Sequence, residues 1–372
     1  MAYESHSWPV FAVLVVGCGL SGLASALALA QAGHHVTIGA GIQLSPNITR
    51  LLQHWGVLEE VFKYADRPVA GTYRSYRGDA LSKSPPVSDP QLVSKAPYLV
   101  IHRADLLRAL LSGTRKHDVQ IKLGSDVKEI DVNNPSLRLA SGEVYEADMI
   151  LGADGERSRF RGSLLGHADP PYSPGDVVYR ISVPTKDITE DNLAWDLKRR
   201  SSVNFWMGSG GHVVSYLIQH DMLNIVLLIN VKGSVCTKWT LFQIHELIQW
   251  RHESGRFVLI GDAAHAILPC LVQGAAQAFE DAGVLGGIFS QVFEKVRKPR
   301  ASDVRHRTLD QKAMFALADG PDQEKRDDNF HAGADWKLFK WLWDYDATES
   351  GQEAWKRFTE TRENGVSPQN RI

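Results

Sequence analysis

Cysteine is scarce in this chain of 372 residues. The three cysteines, Cys18, Cys236 and Cys270, are far apart, and none belongs to a CxxC pair. This pattern argues against a disulfide framework and against a metal site, and it favours a reducing, cytoplasmic setting. The two signs of charge nearly cancel, at a formal net charge of −2. We therefore expect no surface for nucleic acid or acidic membranes.

A membrane span is not expected either. Residues 11–32 are almost wholly apolar and are long enough to cross a bilayer. Gly17, Gly19 and Gly22 interrupt this run at a regular spacing, and no basic flank marks a signal peptide. The run therefore predicts a buried strand, a glycine turn and a helix of small residues.

Two kinds of strand pattern alternate along the chain. Short apolar runs predict buried strands between helices, whereas alternating apolar and polar residues predict an antiparallel sheet with one covered face. Strands of the first kind are predicted at 10–16, 36–38, 147–152 and 256–260, those of the second kind at 177–183, 203–207, 212–219 and 223–230, two further strands at 121–131 and 136–139, and helices at 20–31, 46–55, 104–116 and 274–289. Because the two kinds are interleaved, we expect two domains that are discontinuous in sequence.

The first motif with chemical meaning is GCGLSG at 17–22, between a predicted strand and a predicted helix. That is the context of a dinucleotide-binding turn. Gly17 permits the tight turn, Gly19 lets the backbone approach a pyrophosphate, and Gly22 lets helix and strand pack closely. The start of the helix then presents unpaired N–H groups to the phosphates. The alternative is a glycine turn without a ligand.

The acidic residue that accompanies this motif is missing. It normally stands about twenty residues later, at the end of the second strand, where it holds ribose hydroxyls. No Asp or Glu occurs between Gly17 and Leu58. Gln43 or Ser45 could offer a weaker neutral hydrogen bond, but neither stands at the expected place.

Two further motifs each follow a predicted buried strand. One is GADGERS at 152–158, which contains Asp154, and the other is GDAAH at 261–265, which begins with Gly261 and Asp262. A carboxylate at a strand end can accept hydrogen bonds from a polyol, and the helix that Gly274 opens can stabilise negative charge on a ring system. Taken alone, this motif would favour a simpler interpretation, in which Asp262 only caps a turn and His265 only packs.

Together the three motifs resemble those of the group A flavoprotein monooxygenases, the family of para-hydroxybenzoate and salicylate hydroxylases. The resemblance runs from about residue 10 to 350 and is strongest in GAGIQLSPNITRLL at 39–52, IHRADLLRALL at 101–111, GADGERSRFR at 152–161 and residues 255–286. It implies FAD as cofactor, NADPH or NADH and O2 as co-substrates, and a small aromatic substrate. The implied reaction is hydroxylation of a phenolic or aromatic-polyketide substrate through a flavin C4a-hydroperoxide.

The implied fold class is α/β, with a Rossmann-like FAD/NAD(P)-binding parallel sheet and an interleaved antiparallel-sheet substrate domain. The FAD-binding domain is expected at 8–71, 98–170 and 250–320, the substrate domain at 72–97 and 171–249, and a C-terminal helical tail at 321–372.

The resemblance also implies the residues that face FAD, which stand at turns and helix starts of the matched motifs. They are Gly17, Gly19, Gly22, Gly41, Arg103, Asp154, Asp262, Gly274 and Ala275. In this scheme Arg103 reaches the flavin or its phosphates, Asp262 binds the ribityl chain, and Gly274 and Ala275 lie beside the isoalloxazine. The segment of Asp154 serves both FAD and NAD(P)H.

Three residues match positions that look catalytic in relatives: Arg180, Tyr216 and His212. A phenol reacts best with an electrophilic oxygen when it is deprotonated. Arg180 would stabilise the phenolate, and Tyr216 or His212 would relay its proton. The alternatives are a surface role for Arg180 and core packing for Tyr216 and His212.

The sequence departs from the family at two places. The acidic strand end and a loop are absent between Ile38 and Gly39, and two helices are absent after Val235. The first loss removes the ribose anchor, and the second removes part of the wall over the substrate pocket. A catalytically impaired relic with poor FAD binding is therefore the alternative to an active enzyme.

The tail at 336–358 contains Trp336, Trp341, Trp343 and Trp355. We interpret it as a helix that packs on the first domain, with ligand stacking as the alternative. A flavin-dependent halogenase is a further alternative, because such enzymes carry a Trp-x-Trp-x-Ile-Pro pattern. Here Asp344 follows Trp343, in the wrong part of the chain, so we reject it.

Overall fold

The computed structural model describes residues 11–17, 19–32, 44–83, 96–117, 119–190, 194–199, 202–218, 221–230, 241–286, 291–332 and 336–363. Among these residues, no helix combines the length and the apolar character that a bilayer crossing requires. The predicted strand at 36–38, Gly41 and both departures from the family lie outside the described residues.

Strands and α-helices alternate along the described part of the chain. The strands are β1 (Val13–Val16), β2 (Ala65–Asp66), β3 (Ala70–Ser75), β4 (Ala80–Lys83), β5 (Val100–Ile101), β6 (Val127–Asp131), β7 (Ser136–Leu139), β8 (Val144–Glu146), β9 (Met149–Gly152), β10 (Asp176–Pro184), β11 (Ser202–Gly208), β12 (Gly211–Ile218), β13 (Met222–Asn230) and β14 (Phe257–Leu259). The helices are α1 (Leu20–Gln31), α2 (Pro46–His54), α3 (Leu58–Phe62), α4 (Arg103–Arg115), α5 (Arg161–Leu165), α6 (Trp195–Arg199), α7 (Asp262–His265), α8 (Gly274–Leu285), α9 (Gln291–Phe315), α10 (Pro321–His331), α11 (Trp336–Trp343) and α12 (Ala347–Glu363).

The first sheet is parallel and has the order β1-β9-β14. Its strands are almost wholly buried, and α1 packs on α4 and α8 beside them. Burial on both faces explains why these strands are continuous apolar runs. Because parallel strands share a direction, the loops that follow β1, β9 and β14 all emerge at one edge of the sheet. The prediction of a Rossmann-like parallel sheet is confirmed, with three strands among the described residues.

The second sheet has six strands in the order β10-β13-β12-β11-β3-β4. The prediction of an antiparallel sheet is confirmed for β10 to β13. It missed β3, which lies parallel to β11 and pairs with β4. Between β3 and β11 the chain passes through α4 and β9, and a long crossover of this kind is what a parallel pair requires.

One face of the second sheet carries a row of paired residues that runs across five strands. Cross-strand partners lie on the same face of a sheet. The row, from β10 to β3, is Arg180, Val226, Val214, Phe205 and Tyr73. This face turns toward the segment after α7 and toward the C-terminal helices, where Phe205 and Val214 belong to a cluster with Leu271 and Leu342.

Two predictions of local structure were wrong in part. The strand predicted at 121–131 begins only at Val127. Gly124, at φ +71°, turns the chain just before it, which favours glycine and ends regular strand pairing. The tail is two helices rather than one, because the chain turns between α11 and α12 at residues 344–346.

The C-terminal helices are tied to the rest of the molecule by arginine side chains. Arg50 in α2 donates to the carbonyl oxygens of Trp343 at 3.1 Å and Tyr345 at 2.8 Å. Arg300 in α9 donates to the Leu342 carbonyl at 3.1 Å. The turn between α11 and α12 is therefore fixed against both α2 and α9, while α12 packs on α8 and α9.

Candidate functional site

The three sequence motifs meet at the carboxyl edge of the parallel sheet. Gly17 has φ +115°, and a Cβ atom there would lie 2.1 Å from the Ala153 carbonyl oxygen and 2.6 Å from the Asp154 nitrogen. Gly261 has φ +58°, and a Cβ atom there would lie 2.5 Å from Ser21 Oγ. The 17–22 turn therefore touches both other motif loops. The close approach, as well as the left-handed backbone, requires glycine at both positions.

This edge contains buried polar atoms that have no hydrogen-bond partner among the described residues. Ser21 Oγ and Asp154 Oδ1 are buried and have no hydrogen-bond partner among the residues described. Asp154 Oδ2 accepts from the Arg159 N–H at 2.9 Å, so that carboxylate is already oriented. Gly19 caps α1 with its carbonyl, which accepts from Leu23 N–H at 3.0 Å. Because buried polar groups are normally paired, the edge fits a polar ligand such as the phosphates and ribose of FAD.

Four charged residues beside this edge, which we name the open charge cluster, are linked by electrostatic interactions. Asp262 interacts with Arg103 and Glu156, and Arg103 also interacts with Arg180. Arg103 begins α4, Asp262 begins α7, and Arg180 lies on β10. The side chains of Arg103, Arg180 and Asp262 are exposed, although protein surrounds Asp262 closely. The cluster therefore lines a recess in the protein rather than a convex surface.

The charged forms are disfavoured in this recess. Burial raises the pKa of Asp262, and His265 and Arg103 only partly oppose the shift. Burial also raises the pKa of Glu156, and the negative charge of Asp262 adds to that shift. Burial lowers the pKa of Arg103. Shifts of this kind in a recess are characteristic of sites that bind or react with a ligand.

A second group of charges lies behind the GDAAH turn and is fully buried. We name it the buried charge network. Its members are Glu280 and Asp281 in α8, Arg297 and Arg300 in α9, and His265 in α7. Arg297 donates to Glu280 and to Asp281 at 2.8 Å each, and Arg300 donates to both oxygens of Glu280 at 2.7 and 2.9 Å. Every carboxylate of the network therefore faces at least one guanidinium.

The network orients the turn that carries Asp262. Asp281 Oδ2 accepts from the Gly261 N–H at 2.9 Å and pairs with His265 Nε2 at 2.7 Å. On the other side, Asn47 donates to Glu280 at 2.7 Å and to Gln273 at 3.2 Å. The network thus joins α2, the GDAAH turn and the start of α8 into one unit.

Arginines stabilise the two carboxylates of this network. Burial alone would raise the pKa of Glu280, but Arg300 and Arg297 hold it below its usual range. His265 and Arg297 likewise hold the pKa of Asp281 below its usual range, against the effect of burial. The carboxylate charges are thus balanced within the protein, whereas His265 Nδ1 has no hydrogen-bond partner among the described residues.

A cavity opens between the second sheet, the start of α8 and α11. We name it the aromatic cavity, because five of its described lining residues are aromatic. It is lined by Ser45, Gly71, Tyr73, Tyr98, Val203, Phe205, Cys270, Leu271, Val272, Gln273, Phe339 and Trp343. Val272 adopts φ 57°, a left-handed backbone that costs energy in a β-branched residue, and such strain is concentrated at functional sites.

Tyr216 lies next to the wall of the aromatic cavity. It is buried in one cluster with Tyr98, Val203, Leu271 and Trp343. Burial raises the pKa of Tyr98, and the proximity of Tyr216 adds to the shift, so the Tyr98 hydroxyl stays protonated.

His212 lies elsewhere, between the second sheet and α9. Its ring meets Phe315 edge-on at 5.1 Å, and the buried ion pair of Lys312 with Asp176, at 2.6 Å, lies in electrostatic range. Burial lowers the pKa of His212 to about 4, so the ring is neutral at physiological pH. It is not among the residues that line the aromatic cavity.

The structure brings most of the predicted site residues into two neighbouring places. Gly17, Gly19, Asp154 and Asp262 are at the carboxyl edge, with Gly22 buried in α1 behind them. Arg103 and Arg180 join Asp262 in the open charge cluster. Gly274 and Ala275 start α8, directly after the cavity residue Gln273.

Sequence reasoning did not assign the buried charge network or most of the residues that line the cavity, and it kept ligand stacking by Trp343 only as an alternative. Phe339 and Trp343 stand four residues apart, the spacing at which helical side chains share a face, and this was an available signal. Glu280 and Asp281 interrupt the apolar helix α8, which indicates buried charges with partners. No local pattern in the sequence marks Tyr98 as a site residue.

Comparison with family models gives no match for this chain. An FAD-dependent monooxygenase of Beauveria bassiana is 33% identical over 411 positions, which cover 90% of this chain and 95% of that protein. A 3-amino-4-hydroxybenzoate 2-monooxygenase of Streptomyces platensis is 30% identical, with 94% of this chain and 100% of that protein covered. A solved structure of a salicylate hydroxylase substrate complex has the same fold, with a TM-score of 0.74, 23% identity, and coverage of 92% of this chain and 98% of that one.

The alignment with the Beauveria bassiana protein, at 411 positions, is longer than this chain of 372 residues. The alignment therefore contains positions that have no counterpart in this chain. Almost the whole of that protein is nevertheless covered, and the fold of the salicylate hydroxylase is retained. The chain therefore belongs to the family of FAD-dependent monooxygenases.

Proposed function

We propose that this protein hydroxylates a phenolic or aromatic-polyketide substrate with NAD(P)H and O2. The observation that carries the proposal is the position of the aromatic cavity. It opens at Gln273, directly before Gly274 and Ala275, which the family resemblance places beside the isoalloxazine. FAD, when bound, supplies electron transfer from NAD(P)H and the activation of O2. The scarcity of cysteine supports a cytoplasmic location for this chemistry.

The carboxyl edge of the parallel sheet would hold the cofactor. Gly17 and Gly19 leave room for the pyrophosphate at the start of α1, and Asp154 offers its unpaired buried oxygen. Asp262 would accept hydrogen bonds from a polyol, and Arg103 would face phosphate or flavin oxygen. In the ligand-free protein burial disfavours the charged forms of both side chains, and a bound polar ligand would compensate for this.

The protein residues near the substrate would control its proton and its charge. Arg180 shares a sheet row with Phe205 and Tyr73, both of which line the cavity, so its side chain lies on the substrate side of the sheet. We assign it the stabilisation of the phenolate. Tyr98 lines the cavity within range of Tyr216, and these two phenols are better placed than His212 for a proton relay.

A test of this function combines three measurements on the purified chain. These are the flavin absorption spectrum, the oxidation of NADPH and NADH with a panel of phenols, and mass spectrometry of the products with isotopically labelled O2. We expect oxidation that a phenol stimulates and a product that contains one labelled oxygen atom. A flavin-loaded protein that oxidises NAD(P)H without incorporating oxygen into any phenol would contradict the proposal.

A further inference from the structure

Asn224 lies on the cavity side of the second sheet, next to Tyr216. The two residues are direct cross-strand partners in the antiparallel pair of β12 and β13. Side chains of such partners project from the same face of a sheet, with Cβ atoms about 4.5–5.5 Å apart. Tyr216 packs in one cluster with Tyr98 and Val203, which both line the aromatic cavity. Asn224 therefore extends this side of the sheet by one strand in the direction of β10.

Arg180 flanks Asn224 on the other side. It lies on β10, and its cross-strand partner on β13 is Val226, two residues after Asn224. Residues two apart on a strand share a face, so Arg180 and Asn224 are diagonal neighbours, which in a regular sheet lie about 7–8 Å apart and within reach of long side chains. Asn224 thus stands between the residue to which we assign the phenolate charge and Tyr216 of the proton relay.

The side-chain amide of Asn224 is buried and carries an unused donor. The residue is only 5% exposed. Its Nδ2 atom has no hydrogen-bond partner among the residues that the structure describes. Burying an amide donor without a partner is costly, and native proteins pair nearly all such groups. A ligand oxygen on this side of the sheet would supply the missing acceptor.

Ser215 provides a contrast on the opposite side of the same sheet. It precedes Tyr216 on β12, so its side chain points away from the cavity side. Ser215 is fully buried, and its Oγ atom likewise has no partner among the described residues. An unpartnered buried atom is therefore not enough to mark a binding site. Asn224 is distinguished by its place between Arg180 and Tyr216.

We infer that Asn224 Nδ2 donates a hydrogen bond to the substrate oxygen whose negative charge Arg180 stabilises. This inference rests on the proposed hydroxylase function and adds a substrate-binding residue to it. Arg180 is exposed and supplies the charge, whereas the short, buried side chain of Asn224 supplies a donor in a fixed direction. The two donors together select a free hydroxyl over its methyl ether, because only the hydroxyl can lose its proton and carry the charge.

The first test is Asn224→Leu, which removes the donor and nearly keeps the side-chain volume. Because the donor is unpaired without ligand, the midpoint of denaturant unfolding should stay the same or rise. Binding of 4-nitrophenol, measured by isothermal titration calorimetry with FAD in excess, should weaken by roughly tenfold. A clear loss of stability in the absence of ligand would show that the amide serves the fold, and would overturn the inference.

A matched pair of ligands makes the result independent of how much of each variant folds. The unaltered protein should bind 4-nitrophenol more tightly than 4-nitroanisole, and Asn224→Leu should reduce that preference by roughly tenfold. Ser215→Ala is the matched control, because it removes the other unpartnered buried atom of this sheet and should leave the preference unchanged. The inference fails if the unaltered protein shows no preference, or if the two variants show the same one.

A double-mutant cycle tests whether Asn224 and Arg180 act on one oxygen. The affinity loss in the double variant Asn224→Leu with Arg180→Ala should differ by about threefold or more from the product of the two single losses. Strictly multiplicative losses would separate the two residues and overturn the inference. Hydroxylation of phenols at an unaltered rate in Asn224→Leu would uphold the proposed function but defeat this inference. Loss of the phenol preference in that variant, in a chain that inserts no labelled oxygen into any phenol, would do the reverse.

Discussion

The buried charge network and the open charge cluster contain the same kinds of side chain in opposite electrostatic states. In the network, arginines hold the pKa of Glu280 and Asp281 below their usual range although burial opposes this. In the cluster, burial raises the pKa of Asp262 and lowers that of Arg103. The first set of charges is stabilised by the protein alone, whereas burial disfavours the charged forms of the second, as is typical of ligand-binding sites.

The buried charge network and the open charge cluster are adjacent at Gly261 and Asp262. The Gly261 N–H is held by Asp281 of the network, and the next residue, Asp262, belongs to the cluster. The buried charge network thus fixes the turn that carries Asp262 of the open charge cluster. The difference predicts that changes in the network act on stability, and changes in the cluster act on cofactor and catalysis.

The largest expected effect is on stability. Arg297→Met would leave Glu280 and Asp281 without one of their partners and should lower the free energy of unfolding by about 3–5 kcal/mol. Denaturant unfolding measures this. Arg307→Met is the control, because Arg307 forms an exposed pair with Asp303 in the same helix and should change stability by less than about 0.5 kcal/mol. Equal losses in both variants would erase the distinction between the network and ordinary surface pairs.

The second effect is on turnover. Arg180→Ala should slow hydroxylation by roughly 10²–10³-fold, the typical cost of removing a donor to a developing oxyanion. Flavin content and unfolding free energy should stay near those of the unaltered protein, because Arg180 is exposed in the cluster. Single-turnover kinetics measure the hydroxylation step. Normal rates would remove Arg180 from the mechanism, and a stability loss like that of Arg297→Met would place it with the network.

The third effect concerns the acidic residue missing after the second strand. The ribose loses one or two hydrogen bonds to a charged group, and each of them contributes about 1.5–3 kcal/mol. At about 1.4 kcal/mol per factor of ten, FAD affinity should be roughly one to four orders of magnitude weaker than in intact relatives. We expect the chain to purify with little flavin. A family-like strand end and loop inserted between Ile38 and Gly39 should restore binding, as measured by flavin absorption after gel filtration.

The control for that insertion is a loop of the same length in which the acidic residue is replaced by its amide. It should restore much less binding, since the neutral group makes a weaker hydrogen bond. Stoichiometric, tight FAD in the unaltered chain would show that the open charge cluster and the carboxyl edge hold the cofactor without a ribose carboxylate.

The smallest effect is expected at Asp262. Asp262→Ala should weaken FAD binding by on the order of 1.5–3 kcal/mol, because a buried polyol hydroxyl loses its charged acceptor. The folded pKa of Asp262 is raised, so in the ligand-free protein its contribution to stability is present at acid pH and is lost as pH rises. Unfolding of the ligand-free variant should lack that pH dependence. Unchanged flavin content would show that the cofactor lies elsewhere.

The motifs and the first sheet were predictable because each depends on local sequence. Glycine at 17 and 261 is required by the left-handed backbone, and the apolar runs of β1, β9 and β14 are long enough to identify. Helix α9 was not predicted. Pro299 lies within it, and charged residues occur on all its sides, so it lacks a clear apolar stripe.

The aromatic cavity could not be predicted from local patterns. Its wall combines residues from β3, β11, α11 and the segments before α2, β5 and α8. Only the fold brings these elements together, and each contributes one to four residues. The aromatic residues of the tail were visible in the sequence, but their period alone does not distinguish packing on the core from contact with a ligand.

The arginine ties of the C-terminal turn bear on the order in which this protein folds. The hydrogen bond from Arg50 to the Tyr345 carbonyl joins residues that are 295 positions apart. During synthesis, α2 leaves the ribosome long before its partner exists. Until residues 343–345 have been synthesised, Arg50 in α2 lacks its carbonyl partners. Contacts between residues so far apart in the sequence make folding slow. We expect α11 and α12 to control the yield of native protein in the cell. A nascent chain released before they are synthesised would leave α2 and α8 without the helices that pack on them.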